Sequence, residues 1–497
     1  MNYYVTTSIA YTNGDPHIGY GLELIMADVL ARAARKQGRP TIFSTGTDEH
    51  GQKVAEKAAE LNLTPKALSD KQSEKFRDLA KLLNVSNDRF IRTTDKGHEE
   101  RAAIIWKQLE KDIYKSKYIG LYCVGCEEFV TETVAKENNN ICPNHNKPYE
   151  RVEEENYFFK LSNYTEQIRA AIQAGTFEVI PKTRRNEILS LVLEGLEDIS
   201  ISRPTSKLTW GIPVPGDKTQ VMYVWFEAVM NYLTVLGYPE HEDYKKFWPA
   251  NVQVVGKDII RFHAAIWPGM LLALGLPLPE KVFAHGFITV DGKKMSKSVG
   301  NVISPADVIE RYSVDVFRYY FLRHIPSYDD GDFTWEQLER SYNSELANEL
   351  GNAVQRTAAM IIKYQKGIIG EIPPEQHDKA AYWEAIAACK FDRALEHVWE
   401  QVRGLNQYID EAKPWAVAKE GDEEHLREIL AYQCSNLLEI AELLEPFMPE
   451  TAQKIRHVFE EGIVRPIEGT LFPRHDTEAS KDKAEKPAKE TKVVKKK

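Results

Sequence analysis

The stretch Tyr3-Tyr-Val-Thr-Thr-Ser-Ile-Ala-Tyr-Thr-Asn-Gly-Asp-Pro-His-Ile-Gly-Tyr20 decides the fold. Tyr3 to Ile9 is rich in β-branched and aromatic residues and reads as a strand. Asn13-Gly14-Asp15-Pro16 is a turn cluster. Beyond it Ile18, Leu22, Ile25, Met26, Val29 and Leu30 recur at helical spacing and form one apolar face. Strand, glycine-bearing turn and helix start together make an anion site. The first N–H groups of a helix lack internal partners, and its positive end points at the ligand. His17 and Gly19 are placed to cradle a phosphate. An ordinary first βα unit with a surface histidine has the same pattern, so this stretch fixes the architecture before it fixes the chemistry.

Working outward, the same logic repeats. Thr41 to Ser44 is a second strand that runs into Gly46-Thr-Asp-Glu-His-Gly51, and Val252 to Gly256 is another, followed by Lys257-Asp258. Carboxylates at the carboxyl ends of buried parallel strands sit where such sheets hold ligands, which places Asp258 for a ribose hydroxyl. Val221 to Ala228 is an apolar run of core character around Trp225. Ala284 to Val290 opens apolar and then alternates, and Asp291-Gly292 is a tight-turn pair between two short extended runs. Past that turn, Lys294-Met-Ser-Lys-Ser298 puts two lysines on a small, hydroxyl-rich loop suited to closing over a polyanion. Loop lysines are usually only solvated. The pairing with a phosphate turn near the N-terminus is what gives these two a function.

The bulk numbers narrow the class. A chain of 497 residues, 43% hydrophobic and 28% charged, holds two to four domains and has the composition of a soluble globular protein. A net charge of -10 argues against a generally basic nucleic-acid binder and leaves room for a local basic face. The N-terminus lacks a basic region followed by an apolar run, so no signal peptide is expected. The most apolar stretch, Ala264 to Leu278, is broken by Pro268 and Pro277. It is too short to span a bilayer, and a cytoplasmic location is expected.

Five cysteines do not suggest a disulfide framework. Cys123, Cys126, Cys142 and His145 instead follow C-x2-C-x15-C-x2-H, the spacing of a zinc knuckle. Three thiolates and an imidazole close a tetrahedral site, which argues for one structural zinc per chain. Cys389 and Cys434 lie in helical patterns and read as core.

Tyr11 to Tyr20, Gly46 to Gly51 and Lys294 to Ser298 together resemble the signatures of the methionyl-tRNA synthetases, a family of class I aminoacyl-tRNA synthetases. The resemblance runs from about Tyr3 to about Arg474. It implies an α/β, Rossmann-type parallel-sheet catalytic domain in two halves (1–112 and 203–333), a connective insert with the zinc knuckle (113–202), and an all-α anticodon-binding bundle (334–474). The implied substrates are L-methionine, ATP with Mg²⁺, and tRNA(Met). The implied methionine pocket is Ile9, Tyr11, Asp48, Trp225, Ala228, Tyr232, Phe262 and His263, with Asp48 on the α-ammonium group. Thioether, aromatic and small apolar walls suit one another. His17, Gly19, Asp258 and Lys297 fall at the ATP positions, and His17, Tyr20, Lys294 and Lys297 at the catalytic ones. Arg203 falls near the active site. One position departs from the family: the first signature ends in histidine there and in Tyr20 here. Tyrosine donates one hydrogen bond and carries no positive charge near neutral pH.

From Thr334 the pattern is helical. Asn348, Asn352 and Arg356 fall at i, i+4 and i+8 on one polar face. The resemblance implies that Asn352 and Arg356 read the anticodon, with Pro414 and Trp415 on the partner segment, where the indole can stack on an unpaired base. The Lys-rich end, 475–497, reads as a disordered tail. Larger relatives carry a dimerising module beyond such a linker, so a monomer is expected. Two rival readings differ in testable ways. Another class I synthetase, such as the cysteinyl one, would place an open metal at the substrate. A catalytically silent RNA-binding paralogue would form no adenylate.

Overall fold

The computed structural model describes residues 2–123, 128–130, 132–143, 146–295, 300–369, 371–374, 377–459, 462–466 and 469–474. Cys126, His145, Lys297 and the 475–497 segment lie outside them. The chain forms two compact units. One takes Met1–Asp332 and Trp383–Ala394, the other Phe333–Tyr382 and the chain from Leu395 onward.

The first unit is organised by six parallel strands: β1 (Tyr3–Tyr11), β2 (Thr41–Asp48), β3 (Arg89–Arg92), β4 (Glu178–Ile180), β5 (Val252–Gly256) and β6 (Lys281–His285). Their order is β3-β2-β1-β5-β6-β4. The strand order reverses direction across β1 and β5, and ligands bind in open α/β sheets outside the carboxyl ends at such a switch point. Helix α1 (Ile18–Lys36) follows β1 as the spacing predicts. Its apolar face, Ile18, Leu22, Ile25, Met26, Val29 and Leu30, is between 0% and 3% exposed. α1 is buried beyond that stripe, because Asp28 is also sealed. It accepts from Arg318 at 2.7 Å, Arg32 at 2.7 Å and the Ser86 amide at 2.7 Å. Burial opposes its charge, but the two guanidiniums outweigh that and hold its carboxyl below the ordinary range. Gly46 in β2 is required by β3: a Cβ there would meet the Ile91 carbonyl oxygen at 2.1 Å.

The stretch read as the insert combines an antiparallel sheet with the helices Thr165–Ala174 and Lys182–Glu194. Ile113–Cys123 pairs with Glu128–Val130 and with Glu150–Phe159. β4, inside the same stretch, leaves it and closes the edge of the main sheet against β6. Its short length and single neighbour gave no signal of that in the sequence. No helix among the described residues is long and apolar enough to cross a membrane.

The second unit is helical, with Asn352–Gln365, Glu423–Leu444 and Pro449–Phe459 packed through Val354, Ile361, Leu430, Leu437, Ile440 and Ile455, all buried. Tyr342–Gly351 is a π-helix rather than an α-helix. Within it Asn348 accepts from Arg474. Cys389 and Cys434 are fully buried, as core residues should be.

Candidate active site

The carboxyl edge of the sheet gathers the predicted residues. Register sets Ile9 beside Gly46 and Tyr11 beside Asp48. Gly256 lies beside His285. A one-residue bulge in β1 between Thr6 and Ile9 swings Ser8 toward α1. There its amide and hydroxyl both donate to Glu23 Oε1, at 2.7 and 2.5 Å. Glu23 Oε2 meets His285 Nε2 at 3.0 Å, and His285 Nδ1 donates to the Gly286 carbonyl at 2.8 Å. Both ring nitrogens face acceptors, so this geometry calls for an imidazolium. Burial opposes that charge, yet the Glu23 carboxylate overcomes it and raises the His285 pKa. Asp258 stands close by with an exposed face. Protein crowds its other sides and, with the Glu23 charge, pushes its carboxyl up against the pull of His285 and Lys294.

His17 caps α1. Its Nδ1 accepts from the Gly19 amide at 3.1 Å, which leaves the proton of a neutral ring on Nε2. Here the structure corrects the sequence reading of free amides. The Tyr20 and Gly21 amides reach the His17 carbonyl at 3.0 and 3.2 Å, and the Ile18 amide donates to the Ile303 carbonyl at 3.2 Å. The turn spends its own donors internally, so an anion here meets the imidazole and the helix field. Gly19 is tight all the same: a Cβ would lie 2.9 Å from the His17 ring and 4.0 Å from Met295 Cε. Tyr20 packs edge-on against Phe76, with centroids 5.1 Å apart, and beside His17 at 4.7 Å. Burial, then the Glu23 and Asp258 charges, push its hydroxyl up to about 12, so it stays protonated. A cleft of about 460 Å³ opens against Tyr11, His17, Tyr20 and Lys53.

The lysine hairpin forms as predicted. Lys293–Lys294 pairs with Ile288–Val290, and Asp291 and Gly292 take φ of 51° and 70°, the left-handed pair that a tight hairpin demands. Lys294 is exposed. The far side of the loop is tied to the α1 turn by the bond from the Ile18 amide to Ile303, and on the hairpin side Met295 Cε lies 4.0 Å from the place a Cβ on Gly19 would take. The two signatures therefore meet.

The methionine-pocket candidates also converge. Trp225 stacks on Phe262, with centroids 4.1 Å apart and planes at 13°. Phe262 and His263 lie on a π-turn, Phe262–Ile266, a form common at functional sites. His263 Nδ1 donates to the Ile259 carbonyl at 3.0 Å, so its Nε2 accepts the Tyr232 hydroxyl at 2.8 Å. Burial drives the His263 pKa down to about 4, against weaker opposing effects, so the ring is neutral. Asp48, Ala228 and Tyr232 are buried. Arg203 is close to this edge. Its guanidinium lies 4.4 Å from the Tyr223 ring centre and borders a cavity of about 190 Å³ that Gly51 and Gln52 also line.

Sequence reasoning missed a second layer: Glu23, Glu49, His50, His98, Glu227 and His285. Glu49 and His50 stood inside the quoted Gly46–Gly51 string, but only Asp48 was taken from it. The others lack a spacing signal, since their partners are far away in the chain.

Comparison with known proteins decides the family. Residues 3–358 match the family model described as tRNA synthetases class I (M). The chain belongs to the methionyl-tRNA synthetase family. Residues 358–466 match the anticodon binding domain of methionyl tRNA ligase. A methionine–tRNA ligase of Caldanaerobacter subterraneus subsp. tengcongensis is 42% identical across 99% of this chain and 82% of its own. One of Brucella melitensis biotype 1 is also 42% identical, across 95% and 98%. The Mycobacterium tuberculosis methionyl-tRNA synthetase in complex with methionyl-adenylate superposes with a TM-score of 0.88 at 37% identity, covering 95% of this chain and 100% of that one.

In the helical unit, Arg356 reaches Asp410 at 2.8 Å and its guanidinium lies 5.6 Å from the Trp415 ring centre. Asn352 and Trp415 are exposed. Pro414 is buried at the first position of a new helix, Pro414–Glu420, after Lys413 turns left-handed at φ 44°. Trp415 is therefore held on a helix start rather than on a free loop.

Proposed function

We propose that the two meeting signatures place ATP between His17 and the lysine loop, with methionine over Asp48 and Trp225. The enzyme is a methionine–tRNA ligase: it joins the methionine carboxylate to the α-phosphate of ATP, releases pyrophosphate, and passes the methionyl group to tRNA. The observation that carries the site assignment is the hydrogen bond from the Ile18 amide at the start of α1 to Ile303, with Met295 close to the space beside Gly19. No side chain needs to act as nucleophile, because the methionine carboxylate attacks phosphorus itself. Positioning and charge stabilisation do the work. In this reading His17 Nε2–H and Lys297 face phosphate oxygens, Lys294 adds charge, and Asp258 holds the ribose. Mg²⁺ accompanies ATP and neutralises phosphate charge. Asp48 pairs with the α-ammonium group, while the neutral His263–Tyr232 pair and the Trp225–Phe262 stack line the thioether.

Asn352, Arg356 and Trp415 form the anticodon-reading surface of this proposal. Its chemistry suits a single-stranded loop: an amide, a cation and an exposed indole.

We also propose a structural zinc in the insert. Cys123 and Cys142 are each 2% exposed. Cys123 pairs with Glu128 across a short hairpin. The Cys142 amide bonds the Lys147 carbonyl, and its carbonyl accepts from Asn146, both at 2.8 Å. Two buried thiols, each followed in sequence by a second candidate ligand, Cys126 or His145, fit a knuckle. A closed site of this kind holds a small fold together and takes no part in the reaction. Cys123→Ser should lower zinc content from one per chain to below half by metal analysis and destabilise the insert to proteolysis, while methionine activation persists. Full zinc occupancy in that variant would remove the proposal.

The deciding test of the function is amino-acid-dependent exchange of labelled pyrophosphate into ATP with all twenty amino acids. Exchange with methionine alone is expected. Exchange with another amino acid would overturn the pocket, and tRNA binding without exchange would favour a silent RNA-binding protein.

A further inference from the structure

A buried ionic network runs behind the methionine pocket. Glu227 is completely buried. Its Oε1 meets His50 Nδ1 at 2.9 Å and its Oε2 meets His98 Nε2 at 2.8 Å. His98 Nδ1 continues to the Thr234 hydroxyl at 2.8 Å. His50 also faces Glu99 at 3.9 Å and the Trp210 ring at 5.3 Å.

The members alternate with the pocket candidates. His50 stands two residues after Asp48. Glu227 stands between Trp225 and Ala228, and Thr234 two after Tyr232. The neighbour Glu49 is fixed as firmly: Arg92 clamps both its oxygens at 2.7 and 2.9 Å. Asp48 is thus held by a clamp on the next residue and by the Glu227 network on the one after.

A sealed charge is a costly way to fill a core. Replacing such a group and its partners by apolar residues of equal volume is often neutral or stabilising. What an ionic network adds is a fixed distance and direction between the elements it joins. Here those elements are the end of β2, the Val224–Ala228 helix and the helices bearing His98 and Thr234.

We infer that Glu227 is a positioning residue for methionine: through His50 and His98 it sets the gap between Asp48 and the Trp225 wall, and so the fit of the amino acid. This rests on the proposed methionine site. Discrimination by an apolar pocket is only about 10–200-fold per methylene, so a small change in the gap is felt in the amino acid's KM. The groups proposed for ATP, His17, Asp258 and Lys294, take no part in the network's hydrogen bonds.

The test is steady-state pyrophosphate exchange on the full chain, comparing the parent with Glu227→Gln. The expected result is a KM for methionine raised about tenfold or more, with the KM for ATP and kcat within about twofold. Thr234→Val, which removes only the outermost hydroxyl, should raise the methionine KM about two- to fourfold and serves if Glu227→Gln fails to fold. An unchanged methionine KM in a folded variant overturns the inference. So does a parallel fall of kcat and both affinities together with the melting temperature, which would mark a plain structural brace. A parent without methionine-dependent exchange would overturn the function itself; a parent that exchanges normally beside an unaffected Glu227→Gln overturns only this inference.

Discussion

In one half of the candidate site Asp48, Ala228, Tyr232, Phe262 and His263 are 3%, 3%, 1%, 8% and 2% exposed; in the other half His17 and Tyr20 are half-buried, Asp258 keeps an exposed face and Lys294 is open to solvent. The half assigned to methionine uses rings stacked on rings and a neutral histidine with both nitrogens bonded. The half assigned to phosphate uses charges, an open cleft and a hairpin that carries a loop. The difference follows from what each must recognise. An apolar side chain offers only shape, so its receptor must be rigid and dry. A triphosphate offers charge, which acts at longer range and through groups that arrive late.

The largest effect should come from the open half. Lys297→Ala should slow methionyl-adenylate formation by about 10²–10³, as loss of one preorganised donor typically does, with tRNA affinity retained. Unchanged pyrophosphate exchange would mean that the phosphate half does not depend on its loop.

The sealed half should show itself in stability against pH. The folded pKa of His263 is depressed to about 4. As pH falls below about 6.5 the unfolded chain takes up this proton first, so stability drops between there and about pH 4 and is fully present above. The full difference is on the order of 3 kcal/mol. Urea unfolding from pH 7 to 4.5 should show that slope in the parent and a shallower one in His263→Gln. Equal slopes would show that the ring is not sealed in the neutral form.

The smallest effect is expected at Tyr20→His, which restores the histidine usual in the family. Tyr20 is seated by Phe76 and His17, and its hydroxyl remains protonated. Exchange at pH 7.5 should change less than about threefold, since tyrosine and neutral histidine each offer one hydrogen-bond donor at this place. A gain above tenfold would show that it needs a second imidazole after all.

Much of this was legible in the residues. The strand and helix of the first βα unit came from composition and spacing, and the hairpin at Asp291-Gly292 from turn chemistry, because these are local choices made within a few bonds. The carboxyl-edge positions of Asp48 and Asp258 followed from the rule that parallel sheets present their strand ends together. The identity of the pocket came only from the likeness of three short signatures to a family, since no spacing says that Trp225 should face Phe262.

Tertiary structure alone decided the rest. It showed the amides of the α1 turn taken up by His17 and Ile303, the π-helix on which Asn348 meets Arg474, and the strand Glu178–Ile180 that closes the main sheet. It also paired Glu23 with His285 across 262 residues and Glu227 with His50 across 177. Sequence reports what a residue can do and what its near neighbours prefer. Which buried charge finds which partner depends on how distant segments are brought together, and a carboxylate in a low-dielectric interior is stable only where that partner arrives.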